Sequence, residues 1–228
     1  MKKDKLDVGF KIIKLLIVFF LFYFSAFFQY IPVLLFNIHN VTPKIRVLLN
    51  LFSNLCLVII FFFMYKDDLR KEWKIFKKDP WGKINIGLTC WAIGIVIMII
   101  SNLVINRIVG GGASNEEAVQ AMIKAMPLVM LINAGFIAPF SEEMVFRKSF
   151  RDVLKKRWVF AICSGAIFGL LHCLGGPLIE YLYIIPYGIL GFSFALAYDK
   201  TDSVFTPLFL HMFHNTALIL VSILRSFL

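Results

Sequence analysis

The chain has 228 residues, of which 60% are hydrophobic and 16% aromatic, with 25 phenylalanines. An ordinary water-soluble domain is about half apolar, so this chain cannot conceal its apolar surface in water, and a lipid bilayer is its solvent. The formal net charge is +10, from 24 Lys and Arg against 14 Asp and Glu. These cations are grouped in breaks between apolar runs rather than along a face with interleaved aromatics, which argues against nucleic acid as a partner.

Apolar runs predict spans over 10–36, 46–65, 84–106, 125–147, 158–174, 178–198 and 204–226. A helix needs roughly 20 apolar residues to cross a hydrocarbon core of about 30 Å. The expected fold is therefore all-α, a polytopic transmembrane bundle of about seven spans, within a range of six to eight, enclosing a polar cavity in the membrane. Five cations precede or open the first span, seven lie in Lys66–Lys83 and six in Arg147–Arg157. Alternate connections are thus basic, which places them and the N-terminus in the cytoplasm and the C-terminus outside. The first apolar run is too long for a signal-peptide core and is expected to stay as an uncleaved anchor.

Pro32, Pro139 and Pro186 fall inside spans, where neighbouring helices can satisfy the carbonyls a proline frees. The stretch Lys66–Lys83 mixes Trp73, Phe76 and Trp81 with Lys and Asp, which suits either a helix on an anionic lipid surface or a solvated basic loop. Gly110-Gly111-Gly112 ends one helix, and Glu116 and Glu117 open the next. Cys56, Cys90, Cys163 and Cys173 form no CxxC pair and read as packing residues. No internal repeat is present, so residues 1–228 are read as one membrane domain.

Ionisable groups at membrane depth are costly and by default functional. Here they are Glu142, Glu143 and Arg147 in the fourth span, His172 in the fifth, and His211 and His214 in the seventh, joined by Asn215. At helical spacing Glu143 and Arg147 stand on one face and can pair, while Glu142 projects about 100° away toward other neighbours. One carboxylate would then be structural and the other free. His211 and Asn215 share a face, whereas His214 and the loop residue His39 read as structural. Counting along each helix at 1.5 Å per residue allows the three spans to present their polar groups at one level.

A carboxylate, two imidazoles and an amide suit the activation of water and the stabilisation of an oxyanion, the two needs of peptide hydrolysis. Other intramembrane protease signatures are missing: there is no HExxH, no GxSG and no GxGD beside Tyr198-Asp199. The same polar cluster would also serve a non-catalytic immunity or scaffold protein that binds a peptide, or a proton-coupled transporter. No inverted repeat of broken helices favours transport.

The motifs Glu142-Glu143-Met-Val-Phe-Arg147, Phe168-Gly-Leu-Leu-His172 and His211-Met-Phe-His-Asn215 occur in that order. They resemble the EExxxR, FxxxH and HxxxN or HxxxD motifs of the CPBP family, the CAAX proteases and bacteriocin-processing enzymes also called Abi proteins. The stretch Thr201–His211 is similar to the family's approach to its last motif. The resemblance covers about residues 125–220, the catalytic core, and leaves the spans within 1–106 as a variable N-terminal part. It implies an all-helical membrane endopeptidase with a cavity open to the cytoplasm. By motif position, Glu142 would activate water assisted by His172, and His211 and Asn215 would form the oxyanion hole. Glu143, Arg147 and Phe168 would support the site. Members of this family have been described both as metalloproteases and as metal-free glutamate enzymes; a zinc ion held by Glu142, His172 and His211 is one option the donor types allow. The implied substrate is a membrane-associated peptide, either a prenylated CAAX protein or a leader-type peptide, and the composition leans toward a bacterial plasma membrane. The motifs assign no oligomeric state.

Overall fold

The computed structural model describes residues Lys2–Arg225, and among them every regular element is helical. α1 runs Lys2–Tyr23 and turns through a 3₁₀ segment, Ser25–Gln29, into α2, Tyr30–Leu35. α3 covers Pro43–Phe76, α4 Pro80–Val109 and α5 Ser114–Ala125. The fourth apolar run is a chain of short pieces: α6, Pro127–Ile132; a π-turn, Asn133–Ile137; α7, Ala138–Glu142; a second π-turn, Glu143–Ser149; and α8, Phe150–Val153. α9 spans Arg157–Cys173, a 3₁₀ turn at Leu178–Tyr183 leads into α10, Ile184–Thr201, and α11 spans Phe205–Arg225.

Among the described residues five helices are long and apolar enough to cross a membrane: Pro43–Phe76, Pro80–Val109, Pro127–Val153, Leu178–Thr201 and Phe205–Arg225. The first predicted span is a pair, Asp7–Tyr23 and Ser25–Leu35, bent by 52°. The fifth, expected over 158–174, is the 17-residue helix Arg157–Cys173. At 1.5 Å per residue it reaches about 25 Å, short of a full crossing. The described residues thus carry five or six spans and a short helix, compatible with the six to eight expected. The predicted end of the last one, residue 226, lies outside the described residues.

The connection expected over 66–83 is also different. α3 continues to Phe76, and Asp79 caps the start of α4 by accepting a hydrogen bond from the Gly82 amide at 2.9 Å, with Pro80 in the first turn. Only three residues join the two helices. At the far end of α4, Gly110 adopts φ +81°, which closes the helix in the left-handed region that a glycine occupies without steric cost.

The chain packs as two compact units. The first comprises residues 1–66, 119–145 and 211–228. Its apolar centre gathers Val47, Ile123, Met130 and Ile219. A set of amides lies beside it: Asn54 Nδ2 donates to Asn133 Oδ1 at 2.9 Å and Asn133 Nδ2 donates to Asn50 Oδ1 at 2.8 Å. Asn133 is 1% exposed, so in lipid its amide needs these partners.

The second unit comprises residues 67–118 and 146–210. Its centre includes Leu190, Phe194 and Leu210, with a second group of Ile105, Ala113, Cys173 and Tyr183. α9 and α10 touch backbone to backbone: a Cβ added at Gly169 would stand 2.5 Å from Ile184 O, and one at Gly165 would stand 2.6 Å from Gly188 O. Glycines four apart on α9 permit this approach, as small residues do wherever helices pack in lipid.

The same unit holds an ionic network around the end of α3. Lys148 Nζ lies 2.6 Å from Asp152, 3.3 Å from Glu72 and 3.9 Å from Asp68. Glu72 also accepts from the Tyr198 hydroxyl at 2.8 Å and the Val204 amide at 2.7 Å. Asp199 is bound by Arg151 at 2.7 Å on one oxygen and by Arg157 on the other. The acidic side chains of the supposed basic loop are thus engaged internally, which is why α3 stays helical beyond Lys66.

Candidate functional site

Within the first unit, α7, the start of the second π-turn and α11 bring three ionisable side chains together. His211 Nδ1 lies 2.8 Å from Glu143 Oε1, and His211 Nε2 lies 3.6 Å from Glu142 Oε2. Adjacent carboxylates therefore face the two nitrogens of one imidazole. This corrects the expectation that Glu142 would point toward different neighbours. Glu142 closes α7 and Glu143 opens a π-turn, where successive residues advance by roughly 80° instead of 100°. Both carboxylates lie on the side of α11.

Burial separates the two acids. The Glu143 side chain is 0% exposed and that of His211 3%, whereas Glu142 retains 16%. A carboxylate accepts and the ring nitrogen donates, so Nδ1 carries a proton toward Glu143, and this bond fixes which edge of the ring turns to Glu142. Glu143 is the orienting acid and Glu142 the accessible one.

Asn215, one helical turn beyond His211, donates its amide to the backbone carbonyl of Ala134 at 2.9 Å. His214, on the same helix, is buried.

The second unit holds the remaining predicted residues. His172 Nδ1 is 2.8 Å from the Phe168 carbonyl, so this nitrogen is the donor and Nε2 carries the lone pair of the neutral ring. The ring lies at 4.4 Å from that of Phe168 and stacks on Tyr187 at 4.9 Å. Arg147 is fully buried and its guanidinium carbon lies 4.8 Å from the Phe168 ring, 5.5 Å from Phe194 and 6.0 Å from Phe146. Rings at these distances favour a planar cation. Arg147 sits within these three rings.

Among the described residues no group of three or more His, Cys, Asp or Glu side chains is arranged to hold a metal ion.

Several structurally important polar residues escaped the sequence reading. Asn50 and Asn54, four apart in a predicted span, and Asn133 carried the available signal, an amide spacing on one helix face. Glu72 and Lys148 were hidden among charges assigned to connections.

The model of the family described as Type II CAAX prenyl endopeptidase Rce1-like matches residues 124–217. The chain is 30% identical over 182 residues to the Bacillus subtilis (strain 168) protein named "Putative membrane peptidase YdiL", covering 74% of this chain and 68% of that one. It is 31% identical over 174 residues to an uncharacterized protein of Mycoplasma capricolum subsp. capricolum, covering 70% of this chain and 50% of that one. With the membrane-embedded CAAX protease MroQ of Staphylococcus aureus (strain USA300) it shares 24% identity over 153 residues, 64% of this chain and 59% of the relative. No solved structure matches.

Proposed function

Since this chain belongs to the Rce1-like family of type II CAAX prenyl endopeptidases, we propose that it is an intramembrane endopeptidase in which Glu142 activates the attacking water and His211 with Asn215 stabilises the oxyanion. The observation that carries this reading is the imidazole of His211 held between Glu143, sealed from the surface, and Glu142, which is not.

Glu142 Oε2 and His211 Nε2 are 3.6 Å apart. One oxygen can lie 2.8 Å from each, with an angle of about 80° at that oxygen. In the proposed sequence, Glu142 takes a proton from water as the oxygen attacks the scissile carbonyl carbon. The carbonyl π-bond pair moves to oxygen, and the resulting oxyanion accepts a hydrogen bond from a protonated His211 Nε2. Glu143 balances the imidazolium charge through Nδ1. As the tetrahedral intermediate collapses, the C–N bond breaks and Glu142 returns its proton to the leaving amine, giving a carboxylic acid and an amine and restoring the site.

His172 is assigned, by its FxxxH motif, to assist the water through Nε2, the nitrogen left with a lone pair by the bond to Phe168. Phe168 and Arg147 support this assignment by fixing the ring and the helix beneath it. The substrate class proposed is a membrane-associated peptide of the prenylated CAAX or leader type, the first in keeping with the CAAX protease MroQ among its relatives. The N-terminus and the segments Lys66–Lys83 and Arg147–Arg157 are assigned to the cytoplasmic face of a bacterial plasma membrane on their charge, with the site open to that face.

The test compares peptides in membranes of cells carrying the wild type and the Glu142→Ala variant at equal protein level. A membrane-associated precursor should accumulate with Glu142→Ala and be shortened by the wild type. Identical peptide profiles and turnover in the two strains would overturn the proposal.

A further inference from the structure

The amide of Asn215 is placed against a carbonyl that the helix itself cannot serve. In the first π-turn, the Ala138 amide donates to Asn133 O, a bond spanning five residues. The next carbonyl in that register, Ala134 O, would take its proton from residue 139, which is a proline and has no N–H. Asn215 Nδ2 stands 2.9 Å from Ala134 O. α11 comes close enough to supply it because residue 135 is glycine: a Cβ there would lie 2.9 Å from Thr216 Oγ1. On the opposite flank, Asn50 and Asn54 of α3 bond the side chain of Asn133, the first residue of the same turn.

From this geometry we infer that Asn215 is a positioning residue: its amide replaces the backbone proton missing at Pro139 and holds the π-turn that leads into α7 and Glu142. The amide nitrogen carries two hydrogens, so this bond is compatible with the oxyanion role implied by the family motif. A π-turn inserts one residue into the helical register and rotates everything after it by about 100° relative to an uninterrupted α-helix. Glu142 lies three residues beyond Pro139 at the end of α7, so its aim at His211 depends on the turn being kept. In lipid an unserved carbonyl has no water to turn to, and the turn would relax. Asn50, Asn54 and Asn133 belong to a polar set that neither the proposed water nor the oxyanion uses.

A double-mutant cycle on Pro139 and Asn215 tests this. Pro139→Ala returns an N–H, which lets the backbone serve Ala134 O directly or through a one-residue change of register. If Asn215 acts through that carbonyl, Asn215→Ala lowers the melting temperature of the purified full chain in detergent. The same substitution then costs much less in the Pro139→Ala background. In the cleavage of a quenched prenylated CAAX peptide in proteoliposomes, Asn215→Ala should lower kcat by about 100-fold with KM within about threefold. The double variant should exceed the product of the single effects by tenfold or more. Single effects that simply add in melting temperature and multiply in kcat would overturn the inference, because an amide acting on the oxyanion alone has no reason to depend on Pro139. The kcat arm rests on the endopeptidase reading, whereas the melting-temperature arm does not. Failure of the wild type to cleave any peptide would therefore strike that reading and leave the coupling measurable.

Discussion

Glu143 and His211 are joined by a 2.8 Å hydrogen bond between a fully buried carboxylate and the Nδ1 edge of the ring. A carboxylate behind an imidazole fixes its tautomer and its orientation, and loss of such a partner typically costs tenfold to a hundredfold in activity. Glu143→Gln keeps the shape but presents a neutral amide, which no longer balances a charged ring. Cleavage by Glu143→Gln should fall by about tenfold to a hundredfold while the protein remains folded and inserted. A wild-type rate measured for this variant at equal protein level would show that the bond has no part in catalysis.

Glu142, with 16% of its side chain exposed, is the reactive member of the pair in the mechanism above. Glu142→Gln removes the proton acceptor with little change of volume, so activity should be lost while the melting temperature moves by no more than about 2 °C, the range of a substitution of roughly 0.5 kcal/mol. Differential scanning of the two proteins beside a cleavage assay separates the outcomes. A large loss of stability would make Glu142 a structural residue like its neighbour.

The ionisable residues that build this arrangement were legible because an apolar run makes each Glu or His conspicuous: the desolvation cost of Glu142 or His211 demands a reason. Their mutual placement was not. A reading at 100° per residue sends Glu142 away from Glu143, whereas both face His211 from a stretch bounded by two π-turns. Nothing in a residue pattern announces an extra residue in a helical turn, although Pro139 marks where a hydrogen bond must fail. Asn50, Asn54 and Asn133 carry no charge and so passed as ordinary span residues, yet they flank that turn. The helical extension of α3 was missed for a related reason: Asp68 and Glu72 sit among cations along the chain, and their partner Lys148 comes from a distant segment.

Lys148 and Glu72 are 3.3 Å apart, with side chains 7% and 11% exposed. Removing one member of a buried ion pair strands the other, at a cost of about 3 to 5 kcal/mol. Lys148→Met should therefore destabilise strongly, leaving Glu72, Asp68 and Asp152 without their shared cation. Lys148→Met combined with Glu72→Gln should recover part of the loss, since the stranded carboxylate is then removed too. Melting temperatures of the three variants in the same detergent check this. Equal loss in the single and double variants would mean that the pair is not coupled.

The packing of α9 on α10 leaves no room at Gly169, where an added Cβ would stand 2.5 Å from Ile184 O and 2.8 Å from Gly188 N. Both obstacles are backbone atoms, which cannot swing aside as a side-chain tip can. Gly169→Ala must part the helices, and overpacking of this kind costs about 1 to 3 kcal/mol. The higher helix propensity of alanine returns about 1 kcal/mol at most, so the sign stays unfavourable. His172 lies three residues further along α9 and its ring stacks on Tyr187 of α10 at 4.9 Å, so the displacement reaches a residue of the FxxxH motif. The expected result is a lowered melting temperature together with reduced cleavage. Gly9→Ala, at a position with nothing within 4 Å of the added carbon, serves as the comparison and should leave both unchanged. If Gly169→Ala proved as stable and as active as Gly9→Ala, the close contact of these two helices would be refuted.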